Sequence, residues 1–171
     1  MEKDWLATRA AYVFDDYFDV DYLIGPERMH TNEVHDIAYL RQWLMHDFDA
    51  NFSAAVRPGD CLIAGHAFGY GHPHQFGMRA MRDLGINIVI ADSFYPAFEQ
   101  GEAFNGMVLV TCPGISAAAR RWDDIELNLR AGRLKLPRQN AELTFAPFTA
   151  HQQRLVEAGG VMNTLLQKDG Q

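Results

Sequence analysis

The stretch that most constrains this chain is Asp60 to Ala91, DCLIAGHAFGYGHPHQFGMRAMRDLGINIVIA, which reads as a strand, a loop, a helix and a second strand in succession. Cys61-Leu62-Ile63-Ala64-Gly65 is a short apolar run of the kind a strand buried on both faces requires. A glycine-bracketed loop follows, Phe68-Gly69-Tyr70-Gly71-His72-Pro73-His74. Pro73 suits the first position of a helix, because its missing N–H leaves no intrahelical bond unmade there. Phe76, Met78, Ala80, Met81 and Leu84 then recur at helical spacing, and Gly85 ends the run. Ile86 to Ala91 is apolar and β-branched, so a right-handed crossover sets it parallel to the first strand. The loop therefore lies at the carboxyl end of a strand and the amino end of a helix. Backbone N–H groups and the helix dipole favour an anion in that place.

That geometry suits a carboxylate or phosphate, while a bare G-x-G also serves simply to reverse the chain tightly, and both readings stand. His66, His72 and His74 crowd the same loop, more imidazoles than turn chemistry requires. Their bland reading is a polar surface loop. As metal ligands they are an incomplete set, since no cysteine or carboxylate joins them at a familiar spacing, and no metal site is expected in this chain.

Elsewhere the pattern is mixed. YVFDDYFDVDYLIG, from about Ala11 to Ile24, suggests a strand running into an acidic turn whose aspartates cap and shape the turn; it lacks the glycine and distal glutamate of a calcium loop. Thr31 or Asn32 caps a helix through about Trp43, and Phe48 to Phe52 adds a further helical turn. Arg57-Pro58-Gly59-Asp60 turns the chain into the central strand. Asp92 or Ser93 caps a helix ending near Gly101, Met107 to Cys112 is another buried strand, and Ser116 caps a short helix through Arg121. Ile125 to Arg130 and Leu134 to Leu136 alternate around Ala131-Gly132 as a hairpin with one wet face, and Glu142 to Phe145 is a third strand. Thr149 caps a closing helix that breaks at Gly159-Gly160. The order predicts one layered α/β domain over residues 1–171, with a partly parallel central sheet, an antiparallel hairpin patch and a carboxyl-terminal helix.

Composition narrows the partners. Hydrophobic content of 48% and 22% charged residues are those of an ordinary globular chain. Twenty-two acids against 15 Lys and Arg give a net charge of -7, and no basic block appears, so nucleic acid is not an expected partner. The amino end carries acids and no long apolar core, which excludes a signal peptide or a membrane span there and points to the cytoplasm. Cys61 and Cys112 fit buried thiols of a reducing compartment, and two thiols are too few for an iron–sulfur cluster.

Segments in one order along the chain resemble one family, the small subunit of isopropylmalate dehydratase, equivalent to the mobile swivel domain of aconitase. Phe18-Asp19-Val20-Asp21-Tyr22-Leu23-Ile24 resembles its D-x-D-x-I-I opening, and Arg57 to Gly65 its PGD-strand-G. Phe68-Gly69-Tyr70-Gly71 stands where the family has FGCG, and Asp83-Leu84-Gly85-Ile86 through Ala91-Asp92-Ser93-Phe94 is similar to its DLGI…VIA-SF stretch. Cys112-Pro113-Gly114-Ile115 and Glu157-Ala158-Gly159-Gly160 match its ending, and together the pieces span nearly the whole chain. The resemblance implies a swivel-type β/β/α fold and a hydro-lyase or isomerase acting on a small hydroxy acid. It also implies a large partner subunit that holds a 4Fe-4S cluster, with this chain inactive alone. After its G-x-G the family reads Ser-Ser-Arg-Glu-His, the first Ser acting as base and the Arg gripping substrate; here His72 stands in the Ser position and His74 in the Arg position. An imidazole can serve as base without the activation a hydroxyl needs, but it lacks the bidentate fork of Arg. The expectation is thus a substrate other than standard isopropylmalate, catalytic His72 and His74, and substrate contacts from Gly69, Tyr70, Gly71 and Arg28, the last replacing the basic residue of the family's P-x-R-Y-L-x-T loop. A binding or regulatory subunit that kept the fold and lost the chemistry is the alternative.

Overall fold

A computed structural model describes residues 4–71, 74–163 and 166. Among the described residues seven strands form one mixed sheet in the order β4-β3-β2-β1-β5-β6-β7. Its first half is parallel: β1 (Leu6–Phe14), β2 (Cys61–Ala64), β3 (Ile88–Ala91) and β4 (Val108–Thr111). Its second half is antiparallel, with β5 (Asp124–Asn128), β6 (Arg133–Leu136) and β7 (Ala141–Thr144). β1 is the hinge between the two halves, parallel to β2 on one side and antiparallel to β5 on the other. The helices are α1 (Ile37–Trp43), α2 (Phe52–Ala55), α3 (Phe76–Asp83), α4 (Pro96–Phe104), α5 (Ile115–Ala118) and α6 (Ala150–Ala158). The central unit has the expected form, β2 and β3 lying side by side in parallel with α3 between them in sequence.

The alternation along the buried strands sorts the core into two layers. Leu62, Ala64, Val89 and Ala91 face Leu40, Leu44, Met78, Met81 and Phe98 on the helical side. Cys61, Ile63, Ile88, Ile90 and Val110 face the other way, toward Ile115 and toward Ile125, Leu127, Leu134 and Leu136 of the antiparallel half. The antiparallel strands thus pack over the second face of the parallel ones, and the outer strands meet, Cys112 Sγ lying 3.9 Å from the Thr144 carbonyl oxygen. Helices, parallel strands and antiparallel strands form three layers. Fully burying each large side chain in such a core contributes about 1.5–3 kcal/mol.

Several expected boundaries shift. The first strand begins at Leu6 and stops at Phe14, and Val20–Leu23 beyond it is a 3-10 turn whose amino end is capped by Asp19. The segment after Thr31 divides: a 3-10 turn over Asn32–His35 is capped by Thr31, and α1 is capped afresh by Asp36. Neither Asp92 nor Ser93 caps α4, which starts at Pro96 without a side-chain cap. Asp92 instead accepts from the Gly114 N–H at 2.5 Å and from Ser116 Oγ, tying the end of β3 to the start of α5. Thr149 does cap α6, in a reciprocal box with Gln152, and Gly159 ends it with φ +71°.

Candidate active site

Parallel register aligns the carboxyl ends of the strands, Phe14 opposite Ala64 and Ala64 opposite Ala91, so the segments leaving them share one end of the sheet. The loop 65–71 is laced to both neighbours. Gly65 donates to Phe14 O, His66 to Asp16 Oδ1, and Gly69 to Phe18 O, while Tyr17 donates to His66 O at 2.6 Å. On the other side Ala67 donates to Ser93 Oγ, Phe68 to Ser93 O, and Tyr95 to Phe68 O. Tyr17 and Ala67 adopt left-handed backbone, φ +56° and +52°, at the places where these strand ends cross. Such strain is held by dense surrounding bonds and is typical of functional loops.

This lacing alters the expected anion site. Every backbone N–H from Gly65 to Tyr70 is donated within the protein, Tyr70 to Ala67 O. At the approach to α3 the chain supplies its own carboxylate: the His74 N–H donates to Asp21 Oδ1 at 2.7 Å. The helix opens at Phe76, with Gln75 before it, and Pro73 lies outside the described residues. The two glycines have local reasons to be glycines. Both have positive φ, +82° and +100°; a Cβ at Gly69 would run into the Phe98 ring, and one at Gly71 would lie 2.8 Å from Asp19 Oδ2.

His74 is held by a buried carboxylate. Its Nδ1 lies 2.8 Å from Asp21 Oδ2, so one carboxylate holds both the backbone and the ring of the same residue. The Asp21 side chain is 11% exposed and that of His74 56%. Phe76 lies parallel to that ring, centroids 5.9 Å apart and planes 4° apart. Tyr70 is exposed, with its ring edge-to-face against Tyr17 and Tyr95 at 5.9 and 5.7 Å. The hollow that His74 lines with Val20, Gln75, Met78, Phe98 and Glu102 holds about 50 Å³. Small-molecule sites run to about 300–1,000 Å³, so this hollow alone does not hold a hydroxy acid, while a hollow of about 400 Å³ opens at the same strand ends between Phe14, Asp16, Gly65 and Ser116. Glu102, buried beside the smaller hollow, is held above the usual carboxylate range by burial, against the pull of Arg82 and Asn105. Another hollow of about 350 Å³ lies away from this loop, between Trp5, Leu129, Arg130 and Val156.

Of the residues expected to form the site, Gly69, Tyr70, Gly71 and His74 stand on this loop, and His72 lies outside the described residues. Arg28 is committed elsewhere. Its guanidinium pairs with Asp47 through two bonds of 2.6 and 2.9 Å, meets Glu27 and the Ile24 carbonyl oxygen, and lies 4.5 Å over the Trp43 ring. The residue that sequence reasoning gave too small a part is Asp21, read there as a turn-former. Fifty-three positions separate it from His74, and the one signal was its place in the D-x-D opening. For an iron–sulfur cluster the chain's own residues do not fit: the two cysteines are buried, and among the described residues no group of three His, Cys, Asp or Glu gathers as a metal site.

No protein-family model matches the chain. It is 32% identical over 160 residues to 3-isopropylmalate dehydratase small subunit 1 of Methanopyrus kandleri, covering 94% of this chain and 92% of that one. It is also 32% identical over 129 residues to the isopropylmalate/citramalate isomerase small subunit of Methanocaldococcus jannaschii, covering 75% and 77%. The solved 3-isopropylmalate dehydratase (LeuD) of Methanocaldococcus jannaschii superposes with a TM-score of 0.80 at 25% identity, over 96% of this chain and 95% of that one. Near-complete coverage in both directions, the same fold and the ordered motifs agree: the chain belongs to the 3-isopropylmalate dehydratase small-subunit family.

Proposed function

We propose that the chain is the small subunit of an aconitase-type hydro-lyase or isomerase and completes the active site of a large subunit that holds a 4Fe-4S cluster. The observation that supports this best is the buried Asp21 pinning a half-exposed His74 at the aligned carboxyl ends of parallel strands. The half-exposed His74 side chain leaves a face for the partner to close. His72 and His74 act on the substrate, and Tyr70 offers its exposed ring and hydroxyl. Gly69 and Gly71 serve by shaping the loop. Arg28 reaches substrate only by releasing Asp47, so its place is to hold the 26–28 turn unless assembly opens that pair. The substrate is a hydroxy acid other than standard isopropylmalate, since His74 in the place of the family's Arg offers its carboxylates no bidentate fork. The setting is the cytoplasm, where free Cys61 and Cys112 stay reduced.

A second reading, a binding or regulatory subunit, draws support from the internal commitment of the loop N–H groups. The test is turnover by the complex reconstituted with its large subunit, supplied with citramalate and with 3-isopropylmalate. The expected outcome is dehydration, with 3-isopropylmalate turned over poorly, and loss of turnover in His72→Ala while the complex still assembles. Unchanged turnover in both His72→Ala and His74→Ala supports the regulatory reading instead.

A further inference from the structure

We propose that Asp21 is a positioning residue that keeps the ring proton of His74 on Nδ1, and so makes His74 Nε2 the base of the reaction. The inference rests on the hydro-lyase reading above and assigns its proton transfer to one atom. A carboxylate oxygen accepts, so the ring nitrogen 2.8 Å from Asp21 Oδ2 carries the proton. In the neutral imidazole the lone pair then lies on Nε2. That nitrogen has no partner among the described residues, and the side chain that bears it is 56% exposed. Three further contacts keep the pair from swinging. The other Asp21 oxygen accepts the His74 backbone N–H at 2.7 Å, Phe76 stacks on the ring, and the Asp21 N–H is capped by Asp19 Oδ1 at 2.9 Å. Asp21 lies in the 3-10 turn Val20–Leu23, and its own carbonyl oxygen accepts from Ile24 and Gly25. The carboxylate is fixed by its backbone before it meets the ring.

The chemistry balances without oxidation. The C–H bond next to a substrate carboxylate breaks and its proton bonds to His74 Nε2, while the electron pair forms a carbon–carbon double bond. The neighbouring C–O bond breaks and the hydroxyl leaves with its electrons. Proton and hydroxide together are the water lost, and rehydration reverses the steps. Asp21 faces the cationic ring formed in between, as a carboxylate supports a catalytic imidazolium in hydrolase triads.

Asp21→Asn separates positioning from packing, because the new amide oxygen still accepts the His74 N–H while its NH₂ donates to Nδ1 and drives the ring proton to Nε2. The first measurement is the nitrogen-15 spectrum of the His74 ring in the full chain with the ring neutral. The expected result is the Nδ1–H form in the native chain and the Nε2–H form in Asp21→Asn. The same form in both overturns the proposal. The second is steady-state kinetics of the reconstituted complex on citramalate and 3-isopropylmalate. A fall in kcat of about a hundredfold or more, with KM nearly unchanged, is expected for Asp21→Asn and for His74→Gln. The His74→Gln change leaves the carboxylate in place should Asp21→Asn fold poorly. A rise in KM alone makes His74 a substrate clamp and refutes its role as base. No turnover of either acid by the native complex counts against the hydro-lyase reading, and the ring spectrum still decides what Asp21 does.

Discussion

Cys61 and Cys112 illustrate how far burial alone sets the chemistry of a side chain. Both lie on the inner face of the parallel strands, and burial pushes the Cys61 thiol up to about 12 and that of Cys112 to about 11. A thiol free of the fold ionises near 9.0. Below that pH both states hold the proton and the thiols leave stability untouched. Between about 9 and 11–12 the unfolded chain releases protons that the folded chain keeps, so stability falls as pH rises through this window. The expected outcome is a loss of urea midpoint on going from pH 8 to pH 10.5 that is smaller in the Cys61→Ala, Cys112→Ala chain. Other groups titrate there too, which is why the difference between the two chains is the quantity to measure; equal slopes would refute buried, neutral thiols. Neither thiol is placed as a ligand or nucleophile, since the thiolate that such roles need is the form that burial penalises.

At the scale of elements, the loop between β2 and α3 shows which features a sequence displays. The β2–α3–β3 unit was legible because its signals are local: an unbroken apolar run, a helical stripe ending at Gly85, and a second β-branched run. The same holds for the β5–β6 hairpin and the Thr149 cap. Caps decided by tertiary contact were not legible: Asp92 and Ser93 have the right chemistry for α4 but spend it on Gly114, Ser116 and Ala67. The site divides in the same way. Its histidines and glycines stand out in the chain, while the Asp21 pairing and the capture of the loop N–H groups arise only when β1, β2 and β3 align. Gly69 offers a test of that alignment. Gly59 shares its positive φ, +91° against +82°, but a Cβ at Gly59 meets nothing, whereas one at Gly69 meets Phe98. Gly59→Ala should therefore cost about 1–2 kcal/mol from backbone strain alone. Gly69→Ala should add overpacking of about 1–3 kcal/mol to a similar strain. Equal losses in urea unfolding would mean that the loop does not pack on Phe98 as described.

For the whole molecule the decisive element is β1, which is at once the last strand of the parallel half and the first of the antiparallel half. Its successive residues Ala10 and Ala11 are both fully buried, one in each core layer, so neither layer can be solvated without exposing the strand that the other needs. The site stands on the parallel half, yet the antiparallel half covers the reverse face of the strands that carry it. The two halves are expected to unfold as one unit. Leu134 lies fully buried in the antiparallel layer, and Leu134→Ala should cost about 2–5 kcal/mol through lost transfer energy and the cavity left behind. Trp43, in α1 on the helical side, reports on the opposite layer once Trp5 and Trp122 are replaced by Phe. In that background Leu134→Ala should lower the urea midpoint of Trp43 fluorescence and of far-ultraviolet circular dichroism by the same amount, with the two curves still superimposed. If Trp43 instead keeps its original midpoint while the dichroism splits into two steps, the antiparallel half unfolds independently, and β1 does not couple the layers.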